Sequence, residues 1–144
     1  MARAPLNLNE ELRISKKEAA ETYTASLMSN SKWRALFEAL EASAVKVEGM
    51  VVQYTGVDRE HVSSLPGLYP PHPFVALQPF HILPIIDIEW IEFRRIVRFK
   101  RPNNVPDALV AQDVDAIRAV IEATGKLYPI EETEQGFRVI GHVR

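Results

Sequence analysis

The stretch "IDIEWIEFRRIVRFKR", Ile86–Arg101, changes its pattern of apolar residues halfway along. Ile86, Ile88 and Trp90 occupy alternate positions, as residues on one face of a strand do. From Ile91 onward most apolar residues occupy odd-numbered positions, which lie on the opposite face of a strand. A change of register of this kind is typical of a β-bulge or of a break between two strands. We therefore predict extended structure here, with an irregularity near Trp90.

Helical patterns precede and follow this extended stretch. Ser15 and Glu18 form an S-x-x-E capping pattern, which predicts a helix from about residue 16 to residue 28. Residues 29–43 and 113–125 each space their apolar side chains at helical intervals, which predicts a second helix capped by Asn30 or Ser31 and a third ending at Gly125. The two apolar faces consist of Trp33, Leu36, Phe37 and Leu40, and of Val114, Ile117, Val120 and Ile121.

Three other segments favour strands or loops. Residues 44–56 are rich in valine and predict a strand, with Gly49 at a bulge. Six of the ten prolines lie between Pro66 and Pro84, which predicts a semi-rigid surface loop over residues 65–84 with only a short strand at Phe74–Leu77. Residues 126–144 contain two extended runs around "ETEQG" and predict a C-terminal β-hairpin.

This order of elements predicts the fold class. N-terminal helices, strands in the middle, one later helix and a C-terminal β-hairpin are typical of an α+β fold with a largely antiparallel sheet. We expect a single α+β domain over residues 1–144, in which residues 1–28 form an N-terminal helical extension.

Composition limits the classes of protein that the chain can belong to. At 144 residues and 47% apolar side chains, the chain is large enough to bury a core without covalent staples. A net charge of −2 argues against a protein built as a whole to coat nucleic acid. The absence of cysteine excludes disulfides and cysteine-ligated zinc and suits a reducing compartment. Because neither a signal peptide nor an apolar run of about 18 residues is present, we expect a cytoplasmic protein without a membrane segment.

Three motifs occur in a fixed order: "SNSKWRALFEAL" at 29–40, "IEWIEF" at 88–93 and "GFRVIGHV" at 136–143. In these motifs, including the G-x-x-x-x-G spacing of the last one, the chain resembles a family of short bacterial proteins of unknown function. The resemblance implies a compact domain without a known cofactor, and it transfers no catalytic residue. The first helix and the Pro-rich loop lie outside the three motifs.

Catalytic patterns are weak in this sequence. His61, His72 and His81 lie in one segment near acidic residues, but they lack the close spacing by which two histidines clamp one metal ion. The chain has neither a G-x-S-x-G nucleophile motif nor a glycine-rich phosphate loop. Asp87, Glu89 and Glu92 fit simple alternation on a strand. We therefore assign no catalytic residue, metal ligand or cofactor, and keep a metal-dependent or other hydrolase using the histidine segment as an alternative.

The basic run Arg94–Arg101 offers a second alternative. Its five cations could contact phosphates, with Phe99 available to stack on a base. The same cations could instead pair with Glu131, Glu132 and Glu134 of the terminal hairpin, or protect a sheet edge from aggregation. Because the net charge is negative, we expect nucleic-acid binding less than these structural roles.

The sequence therefore favours a non-enzymatic protein-interaction module, of an immunity-like or regulatory kind. A stiff Pro-rich loop that carries aromatic side chains loses little entropy on binding, and the strand after it adds Trp90 and the arginines. A homodimer formed through a sheet edge is a further possibility. The candidate binding residues are Tyr69, His72, Phe74, Trp90, Arg94, Arg95 and Arg98.

Overall fold

A computed structural model describes residues 7–68, 73–80 and 82–144. The helices are α1 (Leu8–Thr22), α2 (Asn30–Ala42) and α3 (Val114–Glu122), with a 3-10 turn at Ile85–Asp87. The strands are β1 (Ala25–Ser26), β2 (Met50–Tyr54), β3 (His61–Ser63), β4 (Gly67–Leu68), β5 (Phe74–Ala76), β6 (Leu83–Pro84), β7 (Ile88–Arg94), β8 (Ile96–Phe99), β9 (Ala108–Ala111), β10 (Ile130–Glu132), β11 (Gly136–Ile140) and β12 (His142–Val143). The predicted α+β class is confirmed.

The first helix begins and ends earlier than predicted. Asn7, not Ser15, caps it, because the Asn7 side chain accepts a hydrogen bond from the amide of Glu10 at 3.1 Å. The helix ends at Thr22 because Tyr23 adopts an extended conformation, and residues 25–26 then pair with β12. The prediction of a helix from about residue 16 to residue 28 is therefore wrong at both ends. Of the expected helical extension 1–28, residues 1–6 lie outside the described residues.

The other two helices bury the faces that their sequences predict. Trp33, Leu36, Phe37 and Leu40 are all buried on α2. Its cap is Ser29 and not Asn30 or Ser31, since the Ser29 hydroxyl accepts from the amide of Lys32 at 3.1 Å. On α3, Val114, Ile117 and Ile121 are buried, and Val120 packs partly against the core. Gly125 follows this helix with a φ of +78°, the left-handed conformation expected of a terminating glycine.

The main sheet has five antiparallel strands in the order β10-β11-β7-β2-β3. The predicted C-terminal hairpin is its β10–β11 pair, turning at residues 133–136. The inner side chains of β2, β7 and β11 pack against α2 and α3 in one apolar core. Strand β2 begins only at Met50, so the predicted strand at residues 44–49 does not form there.

The register change near Trp90 is confirmed as a bulge followed by a break. Gln53 pairs with Trp90 while Tyr54 pairs with Ile88, which leaves Glu89 as the additional residue in β7. A bend at Arg95 then separates β7 from β8. Strand β8 leaves the main sheet and pairs with β9.

The Pro-rich segment is more ordered than a surface loop. Three short strands within it form an antiparallel sheet in the order β4-β5-β6. Phe74, Val75, Leu77 and Leu83 are buried. The strand predicted at Phe74–Leu77 is confirmed as β5 (Phe74–Ala76). The loop predicted around it does not run wholly over the surface, because Val75, Leu77 and Leu83 pack in the core.

Candidate binding groove

One face of the five-stranded sheet is turned away from the core helices and carries a cross-strand row of side chains. Strand pairing aligns Val62, Val51, Glu92, Arg138 and Glu131, one residue from each strand. Residues directly opposite each other in antiparallel strands point to the same face. The outer face is therefore apolar toward β3 and charged toward β10.

Glu92 lies at the centre of this row and is only 2% exposed. Arg94 donates through Nε to one carboxylate oxygen, and Arg138 donates through Nε to the other at 3.2 Å. Arg94 also donates to Glu60 at 3.0 Å. Burial alone would lower the pKa of Arg94, but its hydrogen bonds to Glu92 and Glu60 raise it above the usual value. The carboxylate of Glu92 thus anchors two charged guanidinium groups.

Trp90 lies on the same outer face, next to the bulge. The guanidinium of Arg138 sits 3.9 Å from the centre of the indole ring, within the range of a cation–π contact. Trp90 is half-buried and borders a cavity of about 540 Å³ that also contacts Leu27 and Arg144. Its ring is therefore only partly accessible, and Arg138 covers part of it.

Strands β8 and β9 lie against the opposite end of this face, near the start of β2. The approach is close at Gly49, where a Cβ atom would lie 3.0 Å from Val97 and 3.2 Å from the ring of Phe99. The two strands are joined through Asn103 and Asn104, whose positive φ values asparagine tolerates better than most residues. The β8–β9 pair therefore packs its Val97 side onto the sheet.

Gln112, just after β9, fastens this pair to the sheet. Its side-chain amide donates to the carbonyls of Gly49 at 3.0 Å and Arg94 at 2.8 Å. Its side-chain oxygen accepts from the amides of Glu48 at 2.9 Å and Gly49 at 3.4 Å. One side chain thus ties the β8–β9 pair to the chain before β2 and to the end of β7.

A groove runs where the β8–β9 pair meets the outer face. It consists of two cavities of about 410 Å³ and 500 Å³ that share Val51, Val62, Arg94 and Arg98 in their linings. We call it the basic groove. Its lining consists of Val51, Arg59, Glu60, His61, Val62, Arg94, Arg95, Ile96, Arg98, Phe99, Lys100, Leu109, Glu134 and Gln135.

The basic groove exposes large aliphatic side chains. Ile96 is 51% exposed and Leu109 is 59% exposed, and both line its first cavity. Scattered apolar residues are common on protein surfaces, but these two share one concave site with Val51 and Val62. The groove therefore offers apolar area as well as charge.

The cations of the groove differ in how they are paired. Arg94 is held by Glu92 and Glu60, and Arg98 lies 3.3 Å from Asp107. Arg95 donates to the backbone carbonyl of Glu134 at 3.3 Å. Within residues 7–68, 73–80 and 82–144, Arg59, Arg95 and Lys100 form no ion pair. Three positive charges at the groove thus remain uncompensated.

The predicted pairing of the basic run with the terminal hairpin is largely wrong. Of the three glutamates expected there, only Glu134 contacts the run, and it does so through its backbone carbonyl. Glu132 pairs with Arg118 of α3 instead. The bend at Arg95 redirects the chain, so the carboxylate partners of Arg94 and Arg98 come from β7 and from the residues just before β3 and β9.

A second polar cluster joins α1 and β1 to the C-terminal residues. The Tyr23 hydroxyl donates to Glu89 at 2.5 Å, and Arg144 lies 2.9 Å from the same carboxylate oxygen. Burial, with the neighbouring Glu89 carboxylate, raises the pKa of Tyr23. The hydroxyl therefore keeps its proton and serves as a donor to a buried carboxylate.

Ser26 and His142 form a serine–histidine pair in the same region. The Ser26 hydroxyl lies 2.8 Å from Nδ1 of His142, the kind of contact that activates a serine nucleophile. However, Nε2 of His142 lies 2.7 Å from the carbonyl of Ile86, and the amide of Leu27 donates to Gly141. The amide beside the serine is thus engaged and is no free donor for an oxyanion. The pair fastens β1 to β12.

The histidine segment is only partly described. His61 lies on β3, borders the basic groove and has its ring 6.1 Å from that of Tyr54. His72 and His81 lie outside the described residues. Among the residues that the structure does describe, no three histidine, aspartate or glutamate side chains are grouped to hold a metal ion.

The predicted docking residues are distributed unevenly. Tyr69 and His72 lie outside the described residues. Phe74 is fully buried, so its ring packs inside the protein and is not presented at the surface. Arg94, Arg95 and Arg98 line one cavity of the basic groove, and Trp90 lies on the same sheet face as Arg94.

Sequence reasoning missed the residues that complete the groove. Arg59, Leu109 and Gln112 come from segments distant in sequence from the basic run and carry no motif. The one feature of the sequence that could have indicated the groove is the short apolar run that contains Leu109, which lies between polar residues in "DALVAQD". Its meaning depends on the β8–β9 pairing, which no local pattern indicates.

Comparison with known proteins gives one match. A family model described as "Family of unknown function (DUF6678)" matches residues 15–144, a range that includes the Pro-rich segment. No curated protein and no solved structure matches the chain. Within the described ranges, none of the helices has the length and apolarity needed to cross a bilayer.

Proposed function

Since the chain belongs to this family of unknown function, we propose its role from its own geometry: a non-enzymatic protein-interaction module that holds its partner in the basic groove. Such a module acts by occupying another protein, as regulatory and immunity-type proteins do. We propose that it does so in the cytoplasm, the compartment that a chain without cysteine suits.

The observation that carries this proposal is the combination of exposed Ile96 and Leu109 with three cations that form no ion pair among the described residues, all in one groove. Protein interfaces are characterised by an apolar centre within a polar rim. Burying the two aliphatic side chains against a partner would remove apolar surface from water, at roughly 25 cal/mol per Å². The cations would then set the orientation of the partner.

The groove is also held in place before any partner arrives. Gln112 fixes the β8–β9 pair through four hydrogen bonds, and Glu92 fixes Arg94 on the opposite wall. A site whose walls are already ordered loses less conformational entropy on binding. This rigidity favours recognition of a partner by a fixed surface.

The partners of two other polar groups, Glu92 on the outer face and His142 of β12, support binding over catalysis. Both oxygens of Glu92 accept from guanidinium groups, so this carboxylate holds two arginine side chains of the outer face in place. The imidazole of His142 contacts Ser26 and a backbone carbonyl through its two nitrogens. Both groups therefore have structural roles that account for their contacts.

The test is capture of partners from a lysate with paired surface variants. The groove variant Ile96→Asp with Leu109→Asp places two charges where apolar contact is proposed. The control is Leu127→Asp, which changes a side chain that is 88% exposed and outside the groove lining. All three proteins are first shown to unfold at the same urea concentration.

We expect a protein captured by the wild type and by the Leu127→Asp variant to be absent from the groove variant. Direct binding of that purified protein then gives the loss in affinity. Equal capture by all three would contradict the proposal, because the groove would then be dispensable. Turnover of a substrate that the groove variant abolishes would replace it with an enzymatic role.

A further inference from the structure

The arrangement of charge and apolar area in the basic groove indicates what kind of protein segment fits it. We infer that the groove binds an extended acidic segment in which carboxylate side chains alternate with aliphatic ones. This inference rests on the protein-binding role proposed above and names the chemistry of the partner.

The sign of the partner's charge follows from the unpaired cations. Arg59 and Lys100 border the second cavity, and Arg95 borders the first. Their neighbours Arg94 and Arg98 already have carboxylate partners, so the positive charge in excess lies at both ends of the groove. Carboxylates of a ligand would complete these pairs through charge-assisted hydrogen bonds. A basic segment would instead meet like charge at each end.

The apolar part of the partner follows from the side chains between these cations. Val51 and Val62 are shared by both cavities, and Ile96 and Leu109 stand exposed beside them. An extended peptide sends successive side chains to opposite sides. Alternation therefore lets one set of side chains meet Val62, Ile96 and Leu109 while the other set meets the rim cations.

The same features distinguish this partner from single-stranded nucleic acid. Proteins that bind single strands stack bases on exposed aromatic rings. The groove contains Phe99, but this ring is half-buried and packs against Gly49. Ile96 and Leu109 would gain little cover from a sugar–phosphate backbone.

The test uses fluorescence anisotropy with a labelled peptide of alternating glutamate and leucine. The comparison probes are the matching lysine–leucine peptide, a glutamate peptide without leucine, and oligothymidine. The groove variant is Arg59→Glu with Lys100→Glu. Lys17→Glu with Lys126→Glu changes the net charge equally at two exposed sites outside the groove and serves as the control.

We expect saturable binding of the glutamate–leucine peptide that weakens as salt screens the charges. The Arg59 and Lys100 reversal should weaken it at least about tenfold, whereas the control reversal leaves it within about twofold. Tighter binding of oligothymidine, or equal binding of the lysine–leucine or leucine-free peptide, would overturn the inference. Binding that both charge variants retain equally would also overturn it.

The two proposals fail in different experiments. If the glutamate–leucine peptide does not bind but a lysate protein is still lost from the Ile96→Asp, Leu109→Asp variant, the acidic partner is wrong and the interaction role stands. If no lysate protein distinguishes that variant from Leu127→Asp, the interaction role itself is wrong. Peptide binding that the aspartate variant retains unchanged would show that the groove is not where the peptide sits, which overturns the inference.

Discussion

The two glycines of "GFRVIGHV" can be tested by adding a single methyl group. Gly136 pairs with Arg94 at the junction of β11 and β7. A Cβ atom on Gly136 would lie 1.9 Å from the carbonyl oxygen of Phe93 and 3.0 Å from its carbonyl carbon. Gly141 is similar, since its Cβ would lie 2.5 Å from the carbonyl oxygen of Ile88. These glycines permit close approach of two backbones.

The cost of Gly136→Ala follows from this geometry. Strands β7 and β11 would have to separate by about 1 Å, which stretches an ordinary 2.9 Å hydrogen bond beyond its useful range. Weakening two such bonds costs about 1–3 kcal/mol, and forced repacking costs about 1–3 kcal/mol more. We therefore expect a loss of about 3 kcal/mol or more. For a chain of this size that lowers Tm by about 6–12 °C.

The matched control is Gly125→Ala. Gly125 has a φ of +78° and no atom within 4 Å of an added Cβ. The substitution therefore introduces only left-handed strain, about 1 kcal/mol, or about 2–4 °C in Tm. Urea unfolding of wild type and both variants gives the two free energies directly, provided that the m-values agree.

The two glycine substitutions should differ in their cost. If Gly136→Ala is no more destabilising than Gly125→Ala, the close approach of β7 and β11 is not present in solution. A variant with wild-type stability would likewise contradict the described register. A loss confined to Gly136→Ala would show that this glycine serves packing and not backbone flexibility.

Three other substitutions test separate parts of the fold. Burial raises the pKa of Asp87, and the negative charges of Glu18 and Glu11 raise it further. The folded state therefore binds the Asp87 proton more tightly than the unfolded state does. This stabilises the folded protein below the unfolded pKa, and the stabilisation is lost as pH rises through the folded pKa. Asp87→Asn should therefore raise Tm near pH 7, and the variant should lose this advantage over the wild type below about pH 3.9. Thermal melts in which the Tm difference between the two proteins does not change with pH would refute this prediction. Gln112→Met removes four hydrogen bonds and should lower the free energy of unfolding in urea by about 2–3 kcal/mol. It should also weaken partner binding. Unchanged binding would show that the groove does not depend on the hydrogen bonds that Gln112 makes to the β8–β9 pair. Phe74→Ala should lower the free energy of unfolding by about 3–5 kcal/mol, because the ring is fully buried. A loss below about 0.5 kcal/mol would indicate that the ring lies at the surface.

Local periodicity predicted those elements whose form depends on near neighbours. The faces of α2 and α3 repeat every three or four residues, and the parity change at Trp90 lies within one strand, so both were readable from sequence. The start of α1 was not, because Ser15 and Asn7 both offer a capping side chain and only the wider contacts of α1 decide between them. The three-stranded sheet of the Pro-rich segment depends on cross-strand pairs, which no single strand specifies.

The candidate site was likewise predictable from the sequence only where it depends on near neighbours along the chain. The cations of residues 94–101 were visible as a run, but their arrangement follows from the bend at Arg95 and from the pairing of β8 with β9. The contributions of Arg59 and Leu109 come from outside the run, through contacts that strand pairing creates. The sequence predicts Phe74 as a binding residue because a stiff Pro-rich loop would present its aromatic side chains to a partner. Burial depends on what packs above it, and composition does not specify this.

The place of β11 between β10 and β7 has a consequence for synthesis on the ribosome. The chain is made from its N-terminus, so β2, β3 and β7 are complete about 40 residues before β11 is added. Until then β7 is an edge strand whose backbone groups lack their second neighbour, a template for pairing with another chain. The nascent protein therefore carries an open edge while these residues are added, and a ribosome that stalls before Gly136 leaves that edge exposed to aggregation.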